Sequence, residues 1–184
     1  MNICLYGSSR DSILEQYKTG VFRLGSLIAQ RGHGLVFGGG REGLMGLAAG
    51  GALSAGGQVT AIVPEFFIPR GVVMEGCTRR IVTKTMHERK ALMERQSDAF
   101  IAVPGGIGTF EELCEIITWR QLGLHSKPIA LYSPAGYYDG LMEVLEQTVQ
   151  RQAMPRSTCD SFRAFDRPEA VLDYLEEESR RHVQ

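Results

Sequence analysis

Ala99-Phe-Ile-Ala-Val103 runs straight into Pro104-Gly-Gly-Ile-Gly-Thr-Phe-Glu-Glu112, and this junction decides the fold. Five apolar residues stopped by a Pro-Gly break read as a strand buried on both faces, and Thr109 to Leu122 reads as the helix that follows. The same junction occurs twice upstream. Asn2-Ile-Cys-Leu-Tyr6 stops at Gly7-Ser-Ser9, before a helical pattern from Ile13 to Gln30 with Val21, Leu24, Leu27 and Ile28 at helical spacing. Leu35-Val-Phe37 stops at Gly38-Gly-Gly-Arg-Glu-Gly-Leu-Met-Gly46, which leads into a helix of small residues from about Leu44 to Ala55. Those small residues permit close helix packing.

Working outward, Gln58 to Val63 reads as a strand, His87 to Gln96 as a helix and Pro128 to Tyr132 as a strand. Tyr138 to Arg151 reads as a helix and Phe162 to Phe165 as an edge strand. Pro168 to Arg181 is a closing helix with Pro in its first turn. Pro64 to Thr85 carries no clear period. Apolar strands alternating with helices make a parallel sheet covered on both faces, and right-handed crossovers wind it doubly. The expectation is an α/β, Rossmann-like fold with residues 1–184 forming a single domain, a length that buries roughly 70% of its unfolded surface.

Twenty basic residues against 21 acidic ones leave a formal charge of −1. That balance argues against binding nucleic acid or a membrane surface through a general field, so any bound anion needs a local site. The start of the chain lacks a basic and apolar leader, and no run approaches a membrane span. The four scattered cysteines (Cys4, Cys77, Cys114, Cys159) form no Cys-x-x-Cys, which fits reduced thiols and a cytoplasmic protein. No His, Asp and Glu cluster has metal-ligand spacing. His87 reads as a structural residue at a helix start, and His33, His125 and His182 as ordinary surface or turn residues.

In a doubly wound sheet the strand-to-helix turns gather at the carboxyl edge, where ligands bind. Three of them are glycine-rich here. Glycine lets backbone N–H groups approach an anion, and each turn feeds a helix N-terminus whose free N–H groups favour phosphate. No Lys-Ser/Thr pair follows the last glycine, so this is not a Walker A loop, and no acidic residue ends the strand at Ile62-Val63-Pro64, as a dinucleotide site needs. A mononucleotide phosphate is the better inference. Thr109 and Glu112 have the Thr-x-x-Glu spacing of a capping box, and Glu112 would equally stand within a turn of a bound phosphate, near its ribose. Glu111 and Glu115 add negative charge that a cation must offset. Arg89 and Lys90, in Met86-His-Glu-Arg-Lys90, read either as that cation or as a solvated basic turn.

Taken together these segments resemble the Lonely Guy family, the cytokinin-activating phosphoribohydrolases. The match runs in order through Gly7-Ser-Ser9, the Gly38 to Gly46 stretch, Met86 to Lys90 and Pro104 to Glu112. It continues through Ile117-Thr-Trp-Arg-Gln-Leu-Gly123 and Gly136-Tyr-Tyr138, covering about residues 1 to 150. Where the family commonly has Cys before its first Gly-Ser-Ser, this chain has Tyr6, and Gln152-Ala-Met154 replaces the glycine-phenylalanine ending of a late helix. The resemblance implies a homodimer that hydrolyses N6-modified adenosine 5′-monophosphates to free base and ribose 5-phosphate, with no cofactor or metal. It implies that Arg89 and Glu112 are catalytic and that Gly105, Gly106, Ile107, Gly108 and Thr109 hold phosphate and ribose. Gly7, Ser8, Gly39, Gly40, Met86 and Lys90 are the further nucleotide-binding residues expected.

Overall fold

A computed structural model describes residues 1–181; His182 lies outside the described residues. Seven strands form one parallel sheet: β1 Asn2–Tyr6, β2 Gly34–Phe37, β3 Val59–Pro64, β4 Arg79–Thr83, β5 Ala99–Ala102, β6 Ile129–Tyr132 and β7 Phe162–Phe165. Their spatial order is β4-β3-β2-β1-β5-β6-β7. The chain therefore winds outward from β1 to one edge, returns to the centre at β5 and winds to the other edge. The reversal lies between β1 and β5, where a crevice opens beyond the strand ends.

Helices α1 (Glu15–Gln30) and α2 (Gly43–Ser54) cover one face together with α7 (Pro168–Arg181). The other face carries α3 (Met86–Arg95), α4 (Ile107–Gln121) and α5 (Asp139–Gln150), with the short α6 (Arg156–Cys159) against α4 and α5. Alternate strand residues point to opposite faces. Ile3, Leu5, Phe37, Val63 and Ile101 pack towards α1, α2 and α7, while Cys4, Tyr6, Val36, Ile62 and Phe100 pack towards α3 and α4. Both sets are buried, which is why these strands read as unbroken apolar runs.

The small residues of α2 are spent inside the chain. A Cβ at Gly25 of α1 would overlap the Ala48 carbonyl oxygen and stand 2.7 Å from its carbon, and one at Gly51 would overlap the Phe22 carbonyl oxygen. The two helices thus touch backbone to backbone, and most of α2 is buried.

Two stretches differ from the sequence reading. The unreadable Pro64 to Thr85 segment contains a 3-10 turn at Glu65–Arg70 and the edge strand β4. Arg79, Arg80 and Val82 are exposed there and only Thr83 is buried, so this edge is protected by charge and shows no apolar alternation. Helix α4 starts at Ile107, two residues before Thr109, because Gly106 takes the extended N-cap position.

Candidate active site

The three glycine turns meet at the reversal of the sheet. Ser8 N–H donates to the Pro104 carbonyl (3.0 Å), joining the turns after β1 and β5. Met45 N–H donates to the Ser8 carbonyl (3.2 Å) and Gly43 N–H to Asp11 Oδ1 (2.7 Å), joining the turns after β1 and β2. Two tyrosines hold the third turn from below. Tyr137 Oη donates to the Gly105 carbonyl (2.6 Å) and accepts from Gly105 N–H (3.2 Å), and the buried Tyr138 Oη donates to the Val103 carbonyl (2.7 Å). Between the turns lies a cavity of about 490 Å³, a size suited to a small metabolite.

One wall of the cavity is the start of α4. No side chain caps this helix, so the first N–H groups, at Ile107, Gly108 and Thr109, have no intrahelical acceptor. Gly106, Ile107 and Gly108 are exposed, and Thr109 is buried. The capping-box reading of Thr109 and Glu112 is corrected here: Thr109 lies within the first turn and Glu112 caps nothing. The capping threonine is Thr85, whose Oγ1 accepts from Glu88 N–H (3.1 Å), while Glu88 accepts from Lys84 N–H (2.8 Å). That cap starts α3, which carries Arg89.

Arg89 and Glu112 meet across the gap between α3 and α4, with Nη2 to Oε1 at 3.3 Å. Both are almost fully buried, at 6% and 8% exposed, so little water screens their interaction. Burial pushes the Glu112 carboxyl above its ordinary pKa, and Arg89 only partly reverses this. A carboxylate so placed can exchange a proton with a bound water nearer neutral pH than a free one, and a fixed cation stands beside it.

Lys90 has a different place. Its ammonium is bound by Glu111 and by Glu115 (3.0 Å). Burial alone would favour its neutral form, but the two carboxylates outweigh this and hold its pKa above the ordinary value. Lys90 thus neutralises the outer acids of α4 and does not line the cavity. Gly105 does not line it either, being buried behind the turn on Tyr137. Gly7, Ser8, Gly39, Gly40, Met86, Arg89, Gly106, Ile107, Gly108, Thr109 and Glu112 all do.

The sequence reading missed the opposite wall. Met45, Val63, Phe67, Val72 and Val73 give it an apolar surface, with Arg10 and Arg70 on the lining as well. Arg70 lies over the rings of Phe66 and Phe67, 5.6 and 5.5 Å from their centres. Phe67, Arg70, Val72 and Val73 come from the chain between β3 and β4, while Met45 belongs to α2 and Val63 to β3. The β3–β4 stretch is tied to the second glycine turn by Arg41 N–H to the Val72 carbonyl (2.9 Å) and Met74 N–H to the Gly39 carbonyl (2.8 Å). The adjacent Phe66 and Phe67 were its one visible signal, without a period to place them.

The remaining candidates lie elsewhere. His87 is exposed in the first turn of α3, and His33 is within 3.0 Å of Glu176. His125 is half-buried in the loop after α4, against the Ile116 carbonyl. Burial pushes the Cys4 thiol up to about 12, which leaves no reactive thiolate there at neutral pH.

Comparison with known proteins agrees with the fold and with the resemblance of the sequence. The family model described as "Possible lysine decarboxylase" matches residues 45–175. A probable cytokinin riboside 5′-monophosphate phosphoribohydrolase of Oryza sativa subsp. japonica is 38% identical over 180 residues, covering 98% of this chain and 72% of the relative. A cytokinin riboside 5′-monophosphate phosphoribohydrolase of Arabidopsis thaliana is 43% identical over 147 residues, covering 80% and 69%. Among solved structures, the molybdenum cofactor carrier protein of Chlamydomonas reinhardtii superposes with a TM-score of 0.74 at 20% identity, over 96% of both chains. The molybdenum cofactor binding protein of Rippkaea orientalis gives 0.70 at 22%, over 96% and 94%. At that identity the two structures speak to the fold alone. The sequence relatives, matched across most of their length, say more: this chain belongs to the Lonely Guy family of cytokinin riboside 5′-monophosphate phosphoribohydrolases.

Proposed function

We propose that this chain hydrolyses the N-glycosidic bond of adenosine 5′-monophosphate and its N6-modified forms, releasing free base and ribose 5-phosphate. The observation that carries the reading is the buried Arg89–Glu112 pair in the same cavity as the uncapped start of α4. The N–H groups of Ile107, Gly108 and Thr109, with Ser8, receive the 5′-phosphate. That leaves the ribose one helical turn away, beside Glu112. As the bond from C1′ to the base nitrogen breaks, positive charge grows on the ribose, and the Glu112 carboxylate stabilises it. The bonding pair leaves with the base nitrogen, which gains one proton to depart as neutral base; Glu112 takes the matching proton from the water whose oxygen joins C1′, and Arg89 orients Glu112 and the nucleotide. The wall of Met45, Val63, Phe67, Val72 and Val73 suits the faces of adenine and a hydrocarbon group on N6.

A decarboxylase acting through pyridoxal would need a lysine in the cavity. Among the described residues none lines it, and Lys90 is committed to Glu111 and Glu115. Incubating the protein with a panel of nucleoside monophosphates, with and without N6-isoprenyl groups, and measuring released base tests the proposal. AMP binding without release of adenine would leave a binding module in its place.

The active unit we propose is a cytoplasmic homodimer formed through helices that flank the site. Leu122 and Leu124, just beyond the end of α4, are 65% and 67% exposed, neighbouring apolar side chains that a subunit contact would cover. Light scattering at micromolar concentration should give twice the mass of the chain, and a monomer would refute this.

A further inference from the structure

Gly38-Gly-Gly40 sets three glycines in a row, and each has different surroundings. Gly39 has φ +79°, a left-handed conformation that side chains resist. A Cβ at Gly40 would meet only Met45 Cε, at an ordinary 3.5 Å. Gly38 has no left-handed backbone to explain it. A Cβ there would overlap Arg89 Nη2 and stand 2.9 Å from Cζ and 3.3 Å from Nε. The guanidinium lies directly on the bare Cα of Gly38.

Little else holds that guanidinium in place. Nη2 reaches Glu112 at 3.3 Å, Nη1 touches Met86 Sδ at 3.8 Å, and the buried Nε has no hydrogen-bond partner. With so few directional bonds, the orientation of the group depends on the shape of the surface beneath it. That surface is the turn that begins at Gly38, just beyond the end of β2.

We propose that Gly38 is a positioning residue, whose missing side chain is the seat that holds the Arg89 guanidinium against Glu112. This rests on the phosphoribohydrolase reading, in which Arg89 and Glu112 perform the chemistry. A methyl group at position 38 lifts the guanidinium and breaks the pair. The atom displaced is the tip of a flexible side chain, so the fold survives. The phosphate turn, built on β1 and β5, is untouched.

The test compares Gly38→Ala, Arg89→Lys and the double variant with the wild type. Lysine keeps the charge but lacks the forked head that the new methyl would displace. Gly38→Ala should fold and keep KM for AMP within about threefold, while kcat falls roughly 10²-fold, as for an ångström-scale misplacement. On the Arg89→Lys background the same change should cost less than about twofold. Carbon-13 NMR of the Glu112 carboxyl gives a reading that needs no turnover. Its titration should move up by about one pH unit or more in Gly38→Ala as the counter-charge withdraws. Absence of base release by the wild type would defeat the phosphoribohydrolase reading, yet the NMR shift would still decide the role of Gly38. An unchanged Glu112 titration, an equal loss of kcat on both backgrounds, or an unfolded Gly38→Ala would overturn the proposal.

Discussion

Glu112→Gln separates charge from shape. The amide keeps the length of the side chain and an oxygen that can face Arg89 Nη2, now 3.3 Å from Oε1, but it carries no charge. A carboxylate about 4 Å from a developing ribose cation contributes about 4 kcal/mol at an effective dielectric near 20. That corresponds to roughly 10³ in rate, within the ~10²–10⁴ typical of a positioned acid or base. Turnover should therefore fall roughly 10³-fold. Stability should fall by less than the roughly 3–5 kcal/mol of a broken buried pair, because two effects oppose each other. The neutral amide escapes the desolvation that raises the Glu112 pKa, while Arg89 loses its counter-charge in a buried position. No helix cap is lost, since Glu112 caps nothing. AMP affinity should hold or improve, because a negative charge near the phosphate has gone. Calorimetric melting, AMP titration and chromatographic assay of released base should all be run on one preparation. A folded, AMP-binding variant with base release within about fivefold of wild type would falsify the role given to Glu112.

Four further outcomes are expected. Adenosine should be a poorer substrate than AMP by roughly 10³ in kcat/KM, since three charge-assisted hydrogen bonds to the phosphate exceed ~4 kcal/mol; equal efficiency on the two would remove the phosphate cradle. The acidic limb of kcat/KM should lie above the ordinary carboxylate range, because burial raises the Glu112 pKa and the reactive carboxylate is lost as pH falls through that raised value. The stability contribution of Glu112 has the opposite sign: it is fully present below the unfolded pKa and is lost as pH rises through the folded one, a dependence that Glu112→Gln should abolish in pH-resolved melting. Gly25→Ala should destabilise by about 1–3 kcal/mol or more, because its methyl meets the backbone of Ala48, whereas Gly50→Ala meets nothing and should stabilise by about 0.4–1 kcal/mol. Thermal melts in which the two behave alike would refute the packing of α1 on α2.

The parts of this fold that could be read from the sequence are those where one physical requirement acts alone. β1, β2, β3, β5 and β6 are buried on both faces, so each appears as an apolar run ending at a break. β4 lies at the edge with two exposed arginines, and nothing in Arg79-Arg-Ile-Val-Thr83 sets it apart from a loop. At the site, the glycine turns were legible because the left-handed backbone at Gly39 and Gly43, and the close approach of other atoms at Gly7, Gly38 and Gly105, leave no place for a side chain. The pairing of Glu112 with Arg89 was not, because Thr109-x-x-Glu112 satisfies the spacing of a cap as well as that of a carboxylate near ribose. The choice depends on α3 lying close to α4, a contact between segments whose approach no local pattern encodes. Lys90 shows the same limit. Its neighbour Arg89 turns inward to Glu112, while Lys90 turns outward to Glu111 and Glu115, and adjacent residues on a helix point in different directions for reasons of register alone.

The excursion between β3 and β4 supplies Phe67, Arg70, Val72 and Val73, whereas the phosphate turn and the Arg89–Glu112 pair come from other stretches of chain. It is fastened to the second glycine turn through backbone atoms, at Val72 with Arg41 and at Met74 with Gly39, and backbone bonds are indifferent to side-chain identity. Mutation can therefore rewrite this one short insert, residue by residue, without disturbing the groups that would break the bond. In the function proposed above, much of the wall facing the base and the pair that breaks the bond therefore sit on separate stretches of the polypeptide. A library confined to positions 65–74 would search substrate range at fixed chemistry, and transplanting the corresponding segment from a relative would carry that relative's preference with it.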